Sequence, residues 1–261
     1  MNRSTYSLAK RFNLRDNPFG IVPYPKEIIW ANHKKFKAEI ENVIRFSIAS
    51  TPSKFVACVY GDWGIGKSHA ARYFSDSRTL EVLSKKVGVS SPLSLLIIFP
   101  MSDVFDSLYL DIVEEIGINK IKKMVADVIE ETGTLKSETA LVNNLKGIIQ
   151  DERLAKVLSR INRSSEAVER YILLSAKSSD LKTLGIARAI MTSSDKLKTL
   201  AGIFNLATHK LYSRIILWID DMERVEFLSG KDLFELQVFI RDLLEHVPQK
   251  LNIIANFTLK P

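Results

Sequence analysis

The chain has 261 residues, 46% of them hydrophobic and 26% charged, with a formal net charge of +7; this balance describes an ordinary globular protein with enough apolar material for one large domain or two small ones. Its longest apolar runs, such as residues 95–99, fall far short of the roughly 18 residues a membrane helix needs, and residues 1–12 lack the apolar core of a signal peptide, so the expected place is the cytoplasm and no membrane partner is expected. The single cysteine, Cys58, excludes an intramolecular disulfide and a multi-cysteine zinc site, and His33, His69, His209 and His246 are too scattered for a metal cage.

Residues 1–31 form a lead-in, broken by Asn17-Pro18-Phe19-Gly20 and Pro23-Tyr24-Pro25. A helix is predicted over 32–49, with Asn32 as N-cap and Phe36, Ile40, Val43 and Ile44 at helical spacing. The short β-rich run 55–60 reads as a buried strand that encloses Cys58. A glycine-rich turn follows, then a helix from about Lys67 to Phe74. Residues 93–99 make a second buried strand, stopped by Pro100.

Residues 103–207 contain no convincing strand. Helical periodicity recurs there through Val104, Leu108, Ile112 and Ile116, then Ile121, Val125 and Val128, then Leu141, Leu145 and Ile148, then Leu154, Leu158 and Ile161. Gly117, Gly133, Gly147 and Gly185 punctuate it. Strands resume at 214–219, a helix covers 231–246, and a fourth strand covers 251–257. Strands alternating with helices predict an α/β fold with a parallel sheet. The expected organisation is a core of residues 32–102 and 208–261, interrupted by a helical insertion over 103–207.

Gly61-Asp62-Trp63-Gly64-Ile65-Gly66-Lys67-Ser68 fits G-x-x-x-x-G-K-[ST], between a predicted strand and a predicted helix, as a phosphate-binding loop requires. The glycines permit backbone angles and close approach that a Cβ would block. Their amides form an anion nest at a helix N-terminus. Lys67 supplies a point charge for β- and γ-phosphates, and Ser68 a hydroxyl for Mg²⁺. Such a site needs a carboxylate at the end of a neighbouring buried strand. The run Ile215-Ile216-Leu217-Trp218-Ile219-Asp220-Asp221 provides it. Asp220 is the expected metal ligand and Asp221 the general base, with Glu223 as the alternative base. A further polar residue is expected at the end of a strand between those two. Asn256 is the candidate and Thr258 the second choice. Trp63 covers a ligand, touches a partner or packs on the lead-in. His69 and Cys58 fit structural roles, although His69 directly follows the motif and is carried with its binding residues.

With these residues in place, the sequence resembles the AAA+ and STAND branch of P-loop ATPases. The features are Asn17-Pro18-Phe19, the helix before the loop, Gly-x-x-Gly-x-Gly-Lys-Ser and a second strand ending in Phe99-Pro100, which look most like the origin-recognition type. Asp62-Trp63-Gly64 and Ile219-Asp220-Asp221-Met222-Glu223-Arg224 are closer to the KAP and STAND-like groups. The resemblance implies a three-layer sandwich, ATP and Mg²⁺ as cofactors, ATP hydrolysis, and self-association into rings or filaments, often on DNA. It places Tyr24, Pro25 and Trp30 near an adenine pocket. Relatives continue into a fifth strand, an arginine finger and a helical lid. This chain stops at Lys260-Pro261, so it is either a fragment or lacks the lid, and slow turnover in isolation is expected. Arg224 and Arg241 lie near possible subunit contacts, with Arg241 read as a solvated residue on the outer face of its helix. Three functions stay open: an ATPase switching a DNA-associated oligomer, a signalling or defence ATPase whose helical insert meets a protein partner, and a non-hydrolysing scaffold. For DNA, the case is the surplus of +5 in residues 1–50 and +4 in residues 151–200, with Lys34-Lys35-x-Lys37 as candidate phosphate contacts.

Overall fold

The structure is a computed structural model that describes residues 28, 30, 33–49, 54–131, 137–247 and 250–258. Most of the lead-in, with Asn17-Pro18-Phe19-Gly20, Tyr24 and Pro25, lies outside the described residues, as do Asn32 and Gly133.

Four strands form one sheet: β1 (Phe55–Gly61), β2 (Leu93–Ile98), β3 (Ile215–Asp220) and β4 (Leu251–Thr258). All pairings are parallel and the order is β1-β4-β3-β2. β3 and β4 are the inner strands. Every residue of β3 and the first six of β4 are buried, which explains their unbroken apolar runs. β1 corrects an expectation. It is an edge strand with alternating exposure, and Val56, Cys58 and Tyr60 face outward, Tyr60 at 72% exposure. Its apolar composition matches that of a buried strand. Its place at the end of the sheet leaves one face uncovered by the described residues.

One face is covered by α1 (Lys34–Ala49), α2 (Lys67–Ser75) and α3 (Ser77–Val87). Ile40, Ile44, Ile48, Phe74, Leu80 and Leu83 pack there on Ile216, Trp218 and Ile254. α3 is not foreseen by the sequence reading, yet its boundaries are strongly marked. Asp76 caps it by accepting from the backbone N–H groups of Arg78 and Thr79. Gly88, at φ 78°, closes it by donating to the Ser84 and Lys85 carbonyls.

The other face carries the helices between β2 and β3: α4 (Val104–Ile116), α5 (Ile118–Glu131), α6 (Glu138–Ile149), α7 (Glu152–Ser159), α8 (Ser165–Ile172), α9 (Ser178–Leu184) and α10 (Ser193–Ala207). A 3₁₀ turn (Met222–Phe227) and α11 (Gly230–His246) follow β3. Leu95, Ile97, Leu217, Ile219, Ile253 and Ala255 share one apolar core with these helices. The result is a three-layer α/β sandwich. The predicted helical positions are buried in it, except that Ile148 is half-buried and Ile149 takes the inner place. Gly117 and Gly185 cap α4 and α9, whereas Gly147 sits inside α6 rather than between helices.

Candidate functional site

The sheet order decides the site. β4 lies between β1, which enters the glycine-rich loop, and β3, which ends in Asp220. Asn256 pairs in register with Val59, and Thr258 with Gly61, so the end of β4 sits beside the start of the loop.

Gly64 and Gly66 have φ of 79° and 99°, a region costly for any residue with a Cβ. Gly66 precedes α2 directly, and no side chain caps that helix. The first α2 amides therefore remain available as donors, and a Cβ built at Gly64 or Gly66 would meet nothing within 4 Å. Any ligand at this point meets bare backbone. Lys67 is 7% exposed; its Nζ donates to the carbonyls of Gly61 at 2.8 Å and Asp62 at 2.9 Å. An ammonium has three N–H donors. Two hold the loop shut on itself, which leaves one for an incoming anion. Asp62, Ile65 and Ser68 are exposed, and Trp63 is the most exposed large apolar side chain, at 88%. Among the described residues Trp63 is not packed away.

Beside the loop, Trp30, His33, Phe36 and His69 line a cleft of about 250 Å³ with residues 64–66. The Trp30 ring lies 5.6 Å from His69 and 5.3 Å from Tyr73. His69 thus has a position at the loop in addition to a packing role. Lys37 departs from the expected cationic cluster. Its Nζ donates to the Tyr73 hydroxyl at 3.0 Å and lies 4.7 Å from that ring's centre. Only Lys34 and Lys35 of that cluster are exposed.

The acidic strand ends as its pattern predicts. Asp220 is 7% exposed and accepts from Asn256 Nδ2 at 2.9 Å through Oδ1. Asp221 turns into the left-handed region, φ 57° and ψ 36°, before the 3₁₀ turn. Its Oδ2 accepts from Arg224 Nη2 at 2.7 Å, and Arg224 Nη1 donates to the Phe99 carbonyl at 2.8 Å. Glu223 accepts from the Thr258 backbone N–H at 3.1 Å. The two candidate bases differ electrically. Burial, then the neighbouring charges of Asp220 and Glu223, push the Asp221 carboxyl above its ordinary range, against Arg224 and Lys67. Burial also opposes the charge on Glu223, but hydrogen bonds from its own backbone and from Thr258, with the Lys67 charge, hold it below its ordinary range. Thr258 pairs with Gly61 and holds Glu223 through its N–H, so the acidic turn lies beside the loop, and the Lys67 charge acts weakly on both acids.

Sequence reasoning missed the bridging role of Arg224; the i,i+3 spacing from Asp221 was the available signal. Arg241 faces solvent at 65% exposure and pairs with Asp242. Thr258 contributes its backbone to Glu223 and leaves Asn256 as the residue on Asp220.

The donor set for a metal is small. Among the described residues no group of three or more His, Cys, Asp or Glu side chains is placed to hold a metal ion by itself. No helix among the described residues is long and apolar enough to cross a membrane.

Residues 36–243 match the family model of the KAP family P-loop domain. No curated protein and no solved structure matches the chain. The family is one of the two groups, KAP and STAND-like, to which Asp62-Trp63-Gly64 and the run from Ile219 to Arg224 are closer; the match spans most of the sequence and gives no support to the origin-recognition type. The chain belongs to the KAP family of P-loop domains.

Proposed function

We propose that the chain binds ATP with Mg²⁺ at residues 61–68 and hydrolyses it, with Asp221 as general base. The observation that carries this is the hydrogen bond from Asn256 to Asp220, on the strand that separates the phosphate loop from the acidic turn. Two polar side chains of neighbouring strands meet there, at the end of the sheet where β1 enters the loop. In this reading Lys67 turns its remaining N–H to a phosphate oxygen, and the α2 amides receive the others. Ser68 and Asp220 would hold Mg²⁺, which when bound offsets phosphate charge. Asp221 takes a proton from water as the water oxygen bonds to the γ-phosphorus and the bond to the ADP oxygen breaks. The raised proton affinity of Asp221 beside the lowered one of Glu223 supports Asp221 over it. The aromatic cleft of Trp30, Phe36 and His69 suits a purine base; adenine over guanine rests on the resemblance alone.

The task of such a switch has two candidate partners. Action through a protein has the more specific support: Met101, Phe227 and Phe234 are each at least 65% exposed, and all follow the C-terminal ends of β2 and β3. Action on DNA rests on charge surplus, and Lys37 is already engaged by Tyr73. Self-association is the third element of the proposal, and an arginine from a neighbouring copy would speed turnover.

The test is binding of a fluorescent ATP analogue with Mg²⁺, beside phosphate release by the wild type and Asp221→Asn. Binding by both and turnover by the wild type alone is the expected result. A wild type that binds no nucleotide, or turns over no faster than the variant, overturns it. Light scattering with and without ATP reads the oligomer, and a DNA titration across salt concentrations reads the DNA route.

A further inference from the structure

Asp221 occupies an uncommon position. A non-glycine residue in the left-handed region carries conformational strain of order 1 kcal/mol or more, and persists only where its surroundings hold it. Its side chain is also one methylene shorter than a glutamate, so it has little reach to correct a wrong backbone. Something must fix both.

Arg224 does so from two directions. Its backbone N–H donates to the Asp221 carbonyl at 3.1 Å, and its Nη2 donates to Asp221 Oδ2 at 2.7 Å. The other arm of the same planar guanidinium, Nη1, reaches the Phe99 carbonyl at 2.8 Å. Phe99 is fully buried just past β2, and its own N–H donates to the Asp220 carbonyl at 2.8 Å. The guanidinium is thus braced on a rigid strand end and transmits that position to the acid. Both side chains remain about one-third exposed, so water can reach them. Only Oδ2 is engaged; among the described residues no hydrogen bond is made to Oδ1.

We infer that Arg224 is a positioning residue: braced on the Phe99 carbonyl, it holds Asp221 by Oδ2 and leaves Oδ1 aimed for a water molecule. The inference rests on the proposed hydrolysis and adds the residue that organises it. The two arms matter together. A lysine can engage only one of these acceptors well at a time, because its ammonium is a point donor and not a fork.

The test is steady-state ATP hydrolysis, with the affinity for the fluorescent ATP analogue measured separately. The proteins are the wild type, Arg224→Ala, Arg224→Lys, Asp221→Asn and the Arg224→Ala/Asp221→Asn double variant, with thermal melts on each. Arg224→Ala is expected to lower kcat about tenfold to a hundredfold, as a misplaced reacting group does, with nucleotide affinity within about twofold. Arg224→Lys should fall between the two. The double variant should be no slower than Asp221→Asn, since a residue that acts through Asp221 has nothing left to position. Wild-type kcat in Arg224→Ala, a further loss in the double variant, or an equal loss of affinity and kcat overturns the inference while hydrolysis stands. If Arg224→Ala does not fold, Arg224→Lys carries the same comparison. A wild type without turnover overturns hydrolysis and this inference together, and that outcome is recognised before any variant is made.

Discussion

Asn256 on β4 donates from Nδ2 to Oδ1 of Asp220 on β3, 2.9 Å away and closed off from water, with Asn256 itself 1% exposed. The asparagine thereby fixes the rotation of a buried carboxylate. Asn256→Ala removes the donor and leaves that oxygen without its partner, at a cost of about 1–3 kcal/mol. Asn256→Asp sets two carboxylates against each other and costs more. Thermal melts should rank wild type, then Asn256→Ala, then Asn256→Asp, and phosphate release should fall in the same order. A melt of Asn256→Asp equal to wild type would show that the carboxylates are not in contact.

Lys67 has its ammonium on two loop carbonyls, so its removal opens the loop as well as deleting a charge. Lys67→Ala should weaken nucleotide binding at least about tenfold, the equivalent of one charge-assisted hydrogen bond. Lys67→Arg should not restore it, because a planar guanidinium cannot take the place of a point donor between the Gly61 and Asp62 carbonyls. Titration with the fluorescent ATP analogue measures both.

Much of this site was legible in the sequence because its signals are local. The glycines at 64 and 66 need positive φ, Lys67 opens a helix, and β3 runs through apolar residues straight into Asp220. The helices between β2 and β3 were legible for a similar reason, since Val104, Leu108, Ile112 and Ile116 repeat with the helical period. What escaped depends on neighbours. Val56, Cys58 and Tyr60 look like core residues until β1 is seen at the edge of the sheet. Arg224 reads in the sequence only as a residue near a possible subunit contact; its bonds to Asp221 and the Phe99 carbonyl depend on the Asp221 turn. No periodicity reports a hydrogen bond across 125 residues.

Gly202 and Gly147 give opposite forecasts for the same substitution. Gly202 lies in buried α10, where an added Cβ would come within 2.6 Å of Ile149 Cγ2 and 2.7 Å of Leu154 Cδ2. Gly202→Ala should destabilise by about 1–3 kcal/mol through overpacking. Gly147 lies inside α6, exposed, where an added Cβ meets nothing within 4 Å. Gly147→Ala should stabilise by about 0.5–1 kcal/mol through helix propensity. Denaturant midpoints of opposite sign would establish that α10 packs on the end of α6 and the start of α7 as closely as the structure has it.

Acid should loosen the helical layer through Asp195. Its carboxylate accepts from Arg153 and Arg188 and from the backbone N–H groups of Met191 and Thr192, while Thr192 caps α10 reciprocally. Burial alone would raise its proton affinity, but Arg153 and the two amides outweigh burial and hold it well below the usual carboxylate range. Asp180 behaves alike, held at about 2 by Arg170 and the Lys177 amide. Groups whose folded proton affinity is depressed contribute stability above the unfolded carboxylate value, about pH 4, and lose it as pH falls toward the folded value. Unfolding free energy should therefore be flat in pH near neutrality as far as these acids are concerned, and decline below about pH 4. Asp195→Asn should cost about 1–3 kcal/mol at pH 7, because two arginines and two amides lose their charged acceptor. The same variant should show a shallower acid decline, by about one proton's worth of slope, since the residue that took up that proton on unfolding is gone. Urea titrations at pH 7 and at several values below 4 measure both effects, and an unchanged acid slope in Asp195→Asn would assign the acid sensitivity to other carboxylates.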